Sequence, residues 1–210
     1  DVSEDITNKN AGVYIVVTTD TCGATYTGIV TIGEPAVLSS SIVGLNVSCN
    51  GNTDGSADLT CSNGTSPYTY LWSTTDTTED ISGLVAATYF VTVYDACADS
   101  ALDSITITEP TVLTSGIGAT DVSCNGGGDG TATVTASGGT IPYNYLWNNG
   151  QGSSTAIGLF PGSYTVNVTD VNGCLTSNLI SVSEPSALSG VVSGTDVTCN
   201  GGSDGQATIV

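Results

Sequence analysis

The sequence predicts an all-β protein made of tandem antiparallel β-sandwiches. Three observations carry this: a repeat of 75 residues, period-two alternation of apolar residues between Gly, Asn, Asp and Pro clusters, and no stretch with helical periodicity. The repeat comes first, because its register tests every strand. Glu34-Pro35, Glu109-Pro110 and Glu184-Pro185 recur 75 residues apart, and Cys49, Cys124 and Cys199 keep the same period, each followed by Asn-Gly. Asp54, Asp129 and Asp204, each followed by Gly, are also in register, as are Tyr14, Tyr89 and Tyr164, and Leu71-Trp72 with Leu146-Trp147. The divisions expected are the C-terminal part of a repeat over 1–35, complete repeats over 36–110 and 111–185, and the N-terminal part of a further one over 186–210. The chain is therefore expected to be an internal segment of a longer, elongated array. Its start, Asp1-Val2-Ser3-Glu4, resembles neither an initiator Met nor a signal peptide.

The strands follow from the alternation. Ala57 and Leu59 align with Ala132 and Val134, and then with Ala207 and Ile209, as one inward column. Val30 and Ile32 align with Ile105 and Ile107 and with Ile180 and Val182 on the strand that ends each copy. On another strand Tyr164, Val166 and Val168 face one way while Thr165, Asn167 and Thr169 face the other. About seven short strands per copy, with one Trp on the third, predict an immunoglobulin-like (PKD-like) sandwich. Trp72 and Trp147 are expected in the core. Tyr14, Tyr89 and Tyr164 stand where a tyrosine corner would. Surface stacking on sugars is the competing role for these rings.

Composition excludes several functions. Lys9 is the sole basic residue, histidine is absent, and 20 acidic residues give a net charge of -19. Such a surface offers phosphates and anionic headgroups no counterion release and no polybasic attraction, so nucleic acid and membrane insertion are not expected. The parts of a Ser-His-Asp or Cys-His centre are missing. Glu79 and Asp80 adjoin instead of facing each other across a cleft, as glycoside hydrolysis requires. No catalysis and no resident cofactor are expected.

A copy of 75 residues buries a small core, so additional staples are expected. Seven cysteines are present, and six recur in two places: Cys22, Cys97 and Cys174 after the Tyr strand, and Cys49, Cys124 and Cys199 before Asn-Gly. They predict an oxidising compartment and one disulfide per repeat. The pairing is open. Cys49 with Cys97 and Cys124 with Cys174 would keep each bond within a copy, but the two loops are expected at opposite ends of a sandwich, roughly 30 Å apart by strand length. Two routes escape that conflict: a short first strand that leaves its Cys near the top, or a bond between successive copies, such as Cys49 with Cys174. Cys61 stands where the next copy has Ala136 and reads as a buried free thiol.

Calcium is the one ion to weigh. Asn50, Asn52 and Asp54 imitate the opening half of an oxygen-ligand loop, while the corresponding stretch keeps Asp129 but fewer oxygen side chains. Asp95, Asp170 and Glu109 could add ligands. Against this, Asn-Gly and Asp-Gly are turn formers in their own right.

The string Val122-Ser-Cys-Asn-Gly-Gly-Gly-Asp-Gly130, then Pro142-Tyr-Asn-Tyr-Leu-Trp147, Gly162-Ser-Tyr-Thr-Val-Asn-Val-Thr-Asp170, Asn172-Gly-Cys174 and Glu184-Pro185, resembles the SprB repeat. The second copy departs from it with Asp95-Ala-Cys97 and the extra Cys61. The resemblance implies a very large cell-surface adhesin of gliding Bacteroidota, exported by type IX secretion, associated with the outer membrane through the parent protein and moved during gliding motility. Such repeats also occur in other large secreted proteins of that phylum. The expectation is a stalk that projects a binding tip and meets surface or polysaccharide ligands through regions outside these residues. The alternative is a polysaccharide-binding module using Tyr68, Tyr70 and Trp72 or Tyr143, Tyr145 and Trp147.

Overall fold

The computed structural model describes residues 5–210, so the start at residues 1–4 lies outside the described residues. Among the described residues all sixteen elements are β-strands, and every strand pairing is antiparallel. The chain divides into two compact units, the first holding residues up to Val47 with Asn52–Thr108, the second holding Ser48–Gly51 with Glu109–Val210.

In the first unit, β1 (Gly12–Thr19) and β2 (Thr25–Ile32) form a hairpin. Six strands follow: β3 (Ser39–Leu45), β4 (Gly55–Ser62), β5 (Thr69–Trp72), β6 (Ile81–Leu84), β7 (Ala87–Tyr94) and β8 (Ser100–Ile107). They make two three-stranded sheets, β3-β4-β6 and β5-β7-β8. The inward column of β4, Ala57 and Leu59, meets Val91 and Val93 of β7, Ile107 of β8 and the ring of Trp72 in one buried cluster. Trp72 is 2% exposed, and its Nε1 donates to Thr78 O at 3.0 Å, so the ring buries its area without stranding its N–H.

The second unit repeats this plan. Its strands are β9 (Thr114–Thr120), β10 (Gly130–Ser137), β11 (Asn144–Trp147), β12 (Thr155–Leu159), β13 (Gly162–Thr169) and β14 (Leu175–Val182). They form the sheets β12-β10-β9 and β11-β13-β14 around Ala132, Val134, Trp147, Val166, Val168 and Val182. Trp147 is 1% exposed and donates to Ser153 O at 2.8 Å. The hairpin β15 (Val192–Thr195) with β16 (Gln206–Ile209) completes the unit.

Each six-strand set is thus an immunoglobulin-like antiparallel sandwich with six strands in place of the seven expected. The stretches between strands are spent on Gly-, Asn-, Asp- and Pro-rich turns that form no further ladder. The tyrosines take the corner geometry in all three places: Tyr14, Tyr89 and Tyr164 donate to the carbonyls of Asn10, Val85 and Phe160 at 2.7, 3.0 and 2.9 Å. Only Tyr89 is buried, however, at 7% exposure. Tyr164 is half-buried against the second core, and Tyr14 is half-buried on the β1–β2 hairpin. Val30 on β2 is 47% exposed, while its counterpart Ile105 packs against a core.

Candidate functional site

Three recurring motifs that lie far apart in the sequence converge on one turn. After β3 the chain passes through Val47, whose N–H donates to Thr108 O at 3.1 Å, while Asn46 Oδ1 accepts from Thr108 N at 2.8 Å. The Cys49-Asn50-Gly51 turn follows. Gly51 has a φ of 78°, which a side chain would disfavour, and its N–H donates to Glu109 Oε2 at 2.7 Å. Asn50 Nδ2 donates to Pro110 O at 3.1 Å. The next copy does the same: Gly126 N to Glu184 Oε2 at 2.6 Å, and Asn125 Nδ2 to Pro185 O at 3.0 Å. Glu-Pro is therefore a latch that holds the cysteine turn of its own copy.

The recurring Gly after Asp has a different cause. Gly55 and Gly130 open β4 and β10 at register shifts in the ladder. A Cβ on Gly55 would stand 2.9 Å from both Leu84 O and Ile107 Cγ2, and one on Gly130 would stand 2.9 Å from Leu159 O and 2.7 Å from Val182 Cγ1. No side chain fits there. Turn chemistry alone missed this close approach, although the invariance of Gly through three copies signalled it.

The second place where cysteines recur is a five-residue loop organised by a carboxylate. Asp170 is 2% exposed; its Oδ1 accepts from Asn172 N and Cys174 N, both at 2.9 Å, and its Oδ2 accepts from Thr140 N at 2.8 Å. Burial pushes this carboxyl up, but the N–H groups of Thr140, Cys174, Asn172 and Gly173 together outweigh it and hold it below the usual carboxylate range. Asp95 does the same for Thr65 N, Cys97 N and Asp99 N, at 2.8, 2.9 and 2.9 Å, and is likewise held low, chiefly by the Thr65 amide. Asp20 accepts from Cys22 N and Ala24 N at 2.8 and 2.9 Å. The matched placement of the three cysteines needs one correction. Cys22 and Cys97 stand two residues after their aspartate, where the next copy has Asn172, while Cys174 stands four after.

The turn and the loop meet in the second unit. Cys49 and Cys174 form a disulfide with Cα atoms 5.7 Å apart at a sequence separation of 125. Asn172 Nδ2 donates to Ser48 O at 3.0 Å, and Cys174 Sγ lies 3.5 Å from the same carbonyl. The bond joins the cysteine turn of 36–110 to the aspartate loop of 111–185; it is not a bond within a copy. The expectation of a disulfide in every repeat is corrected for these residues, because Cys22, Cys97, Cys124 and Cys199 are unpaired and exposed. At the separation of the formed bond, none of the four meets a cysteine of the complementary kind within 1–210.

Cys61 is unpaired and half-buried. Burial and then the nearby Glu79 raise its pKa, and the same two causes push Tyr70 up to about 12.

The calcium candidates are held in turns. Asn50 bonds Pro110 O, and Asp129 Oδ1 accepts from Ser123 N at 3.0 Å, with the Ser123 hydroxyl and then its amide lowering the Asp129 pKa. Asn52 and Asp54 lie exposed in the first of these turns. Among the described residues no group of three or more His, Cys, Asp or Glu side chains is placed to hold a metal ion. Trp72 and Trp147 are buried, while Tyr68, Tyr70, Tyr143 and Tyr145 are half-buried against the two cores. The rings named for sugar contact thus form no open strip.

Comparison with known proteins agrees with the repeat. The SprB repeat family model matches residues 45–77 and 117–152, one segment in each six-strand set, consistent with SprB-type repeats and, through that family, with a cell-surface protein. No curated protein matches the chain. Among solved structures, a chain from work on the structural basis for Dscam isoform specificity aligns at 11% identity and a TM-score of 0.35, over 82% of this chain and 54% of its own length. The amphioxus IgVJ-C2 molecule aligns at 13% identity and a TM-score of 0.30, over 69% of this chain and 96% of its own. Among the described residues no helix is long and apolar enough to cross a membrane.

Proposed function

We propose that the chain is a non-enzymatic repeat segment of a very large cell-surface adhesin, a stalk that projects a binding tip and transmits force during surface adhesion and gliding. The observation that carries this reading is the Cys49–Cys174 bond, which joins a turn inside one matched SprB segment, 45–77, to a loop of the copy that contains the other, 117–152. A chain pulled from its ends passes tension from Cys49 directly to Cys174, so the residues between them, which include Trp72 and Trp147, are bypassed by the covalent path, while β3 and β14 lie outside the bridged stretch. A net charge of -19 keeps neighbouring stalks apart and favours no nucleic acid or lipid partner. Attachment to the outer membrane, export by type IX secretion, and contact with surfaces or polysaccharides belong to the parent protein in this reading. The alternative of a polysaccharide-gripping module, or of an accessory repeat in another secreted protein, has less support, since its proposed rings are buried or packed against the core.

The test is antibody against this chain, applied to intact living cells of the organism that encodes it. The expected result is surface label that moves along gliding cells and is stripped by external protease. Label confined to the culture fluid would overturn the surface-stalk reading and favour a released protein.

A further inference from the structure

The disulfide uses one cysteine turn and one aspartate loop, yet the structure builds each of these half-sites more than once. The Cys124 turn reproduces the Cys49 turn bond for bond: Val122 N to Ser183 O at 3.1 Å, Gly126 N to Glu184 Oε2 at 2.6 Å and Asn125 Nδ2 to Pro185 O at 3.0 Å, against 3.1, 2.7 and 3.1 Å for Val47, Gly51 and Asn50. Cys124 is exposed and unpaired. The Cys97 loop in turn reproduces the Cys174 loop around its own aspartate. Asn172, at the position Cys97 holds in its loop, donates to Ser48 O, so side chains from both loop positions reach the backbone beside the turn cysteine.

From this we infer that Cys124 is the open half of a second staple, and that its partner is the aspartate-loop cysteine of a further repeat of the same kind, 125 residues on. The Cys124 and partner thiols each lose a proton and an electron as the S–S bond forms. A disulfide oxidant such as oxidised glutathione takes up both and leaves as two thiols. The Cys49–Cys174 and Cys124 loops then overlap in sequence, so that each complete repeat is held by one bond through its turn and another through its loop. Cys199 is the next turn cysteine in this register, and Cys97 and Cys22 are loop cysteines for preceding turns. The inference concerns covalent register only and stands or falls separately from the adhesin reading, since a disulfide map says nothing about what the parent protein binds.

The test extends the whole chain by one period, fusing a second copy of residues 136–210 after Val210, so that a duplicate of Cys174 falls at the required separation from Cys124. After oxidation with glutathione disulfide, the chain is alkylated without reduction and digested for mass spectrometry. The expected result is a peptide linking Cys124 to the appended copy of Cys174, with Cys49–Cys174 retained and Cys124 refractory to alkylation. In the Cys124→Ser variant of the extended chain, the appended cysteine becomes alkylatable. Cys124 left free in an extended chain that keeps Cys49–Cys174 would overturn the inference, as would Cys124 linked to Cys97 or Cys199. The 210-residue chain gives a second reading: a Cys97–Cys124 bond formed there under the same oxidation would overturn it equally.

Discussion

Glu109 Oε2 accepts the Gly51 N–H at 2.7 Å across 58 residues of sequence, and this bond ties the end of a copy to its first turn. The pair explains why Glu-Pro and Cys-Asn-Gly share one period: the carboxylate satisfies an amide that the turn leaves unpaired, and the proline carbonyl takes the Asn50 amide. Replacement of Glu109 by Ala should cost about 1 kcal/mol, the net worth of an exposed hydrogen bond with a charged acceptor. Thermal unfolding of Glu109→Ala and Glu184→Ala should show the loss in each case. An unchanged midpoint in both would remove the latch.

Asp170 holds its loop through three backbone amides, and Asn in its place offers one acceptor oxygen where the carboxylate offers two. Asp170→Asn should therefore destabilise by about 2 kcal/mol, read from the fluorescence of the buried Trp147. The same bonds set the pH dependence. Asp95, Asp170, Asp129 and Asp204 are all held below their ordinary pKa in the folded chain. A depressed folded pKa adds stability above the unfolded value, near about 3.9 for Asp, and that stability is lost as pH falls through the folded value. Stability should be nearly flat from neutral pH down to about 5 and decline below about 4. A midpoint that drops between pH 8 and 6 would contradict this, since the chain has no histidine to titrate there.

Cys61 should be the slowest of the free cysteines to alkylate at neutral pH. Burial and Glu79 raise its pKa and reduce its thiolate fraction, whereas Cys22, Cys97, Cys124 and Cys199 are exposed. Timed iodoacetamide labelling with peptide mapping measures the order. Labelling of Cys61 ahead of the exposed four would show that its side of the sandwich opens.

Much of this was legible in the residues. The period-two columns identified the sheets because Ala57 and Leu59 recur as Ala132 and Val134, and a register kept across copies leaves each strand one face to bury. The open choice between pairings within and between copies was framed by strand length and resolved by the loop that carries Asn172 and Cys174. Other features were not legible. That Gly55 and Gly130 are required by Leu84 O and Leu159 O depends on backbone contacts between strands far apart in sequence. The reach of Asp95 and Asp170 to Thr65 N and Thr140 N, 30 residues back, likewise emerges only when the strands are paired.

The Cys49–Cys174 bond carries tension past the stretch that holds Trp72 and Trp147, and single-molecule extension of the chain, pulled from its two ends with and without reductant, tests this most directly. The chain between Cys49 and Cys174, a sequence separation of 125, should be withheld from the fully extended length while the bond is intact. Reduction should release about 430 Å, at roughly 3.3–3.6 Å per residue. Equal extended lengths in the oxidised and reduced chain would contradict the claim.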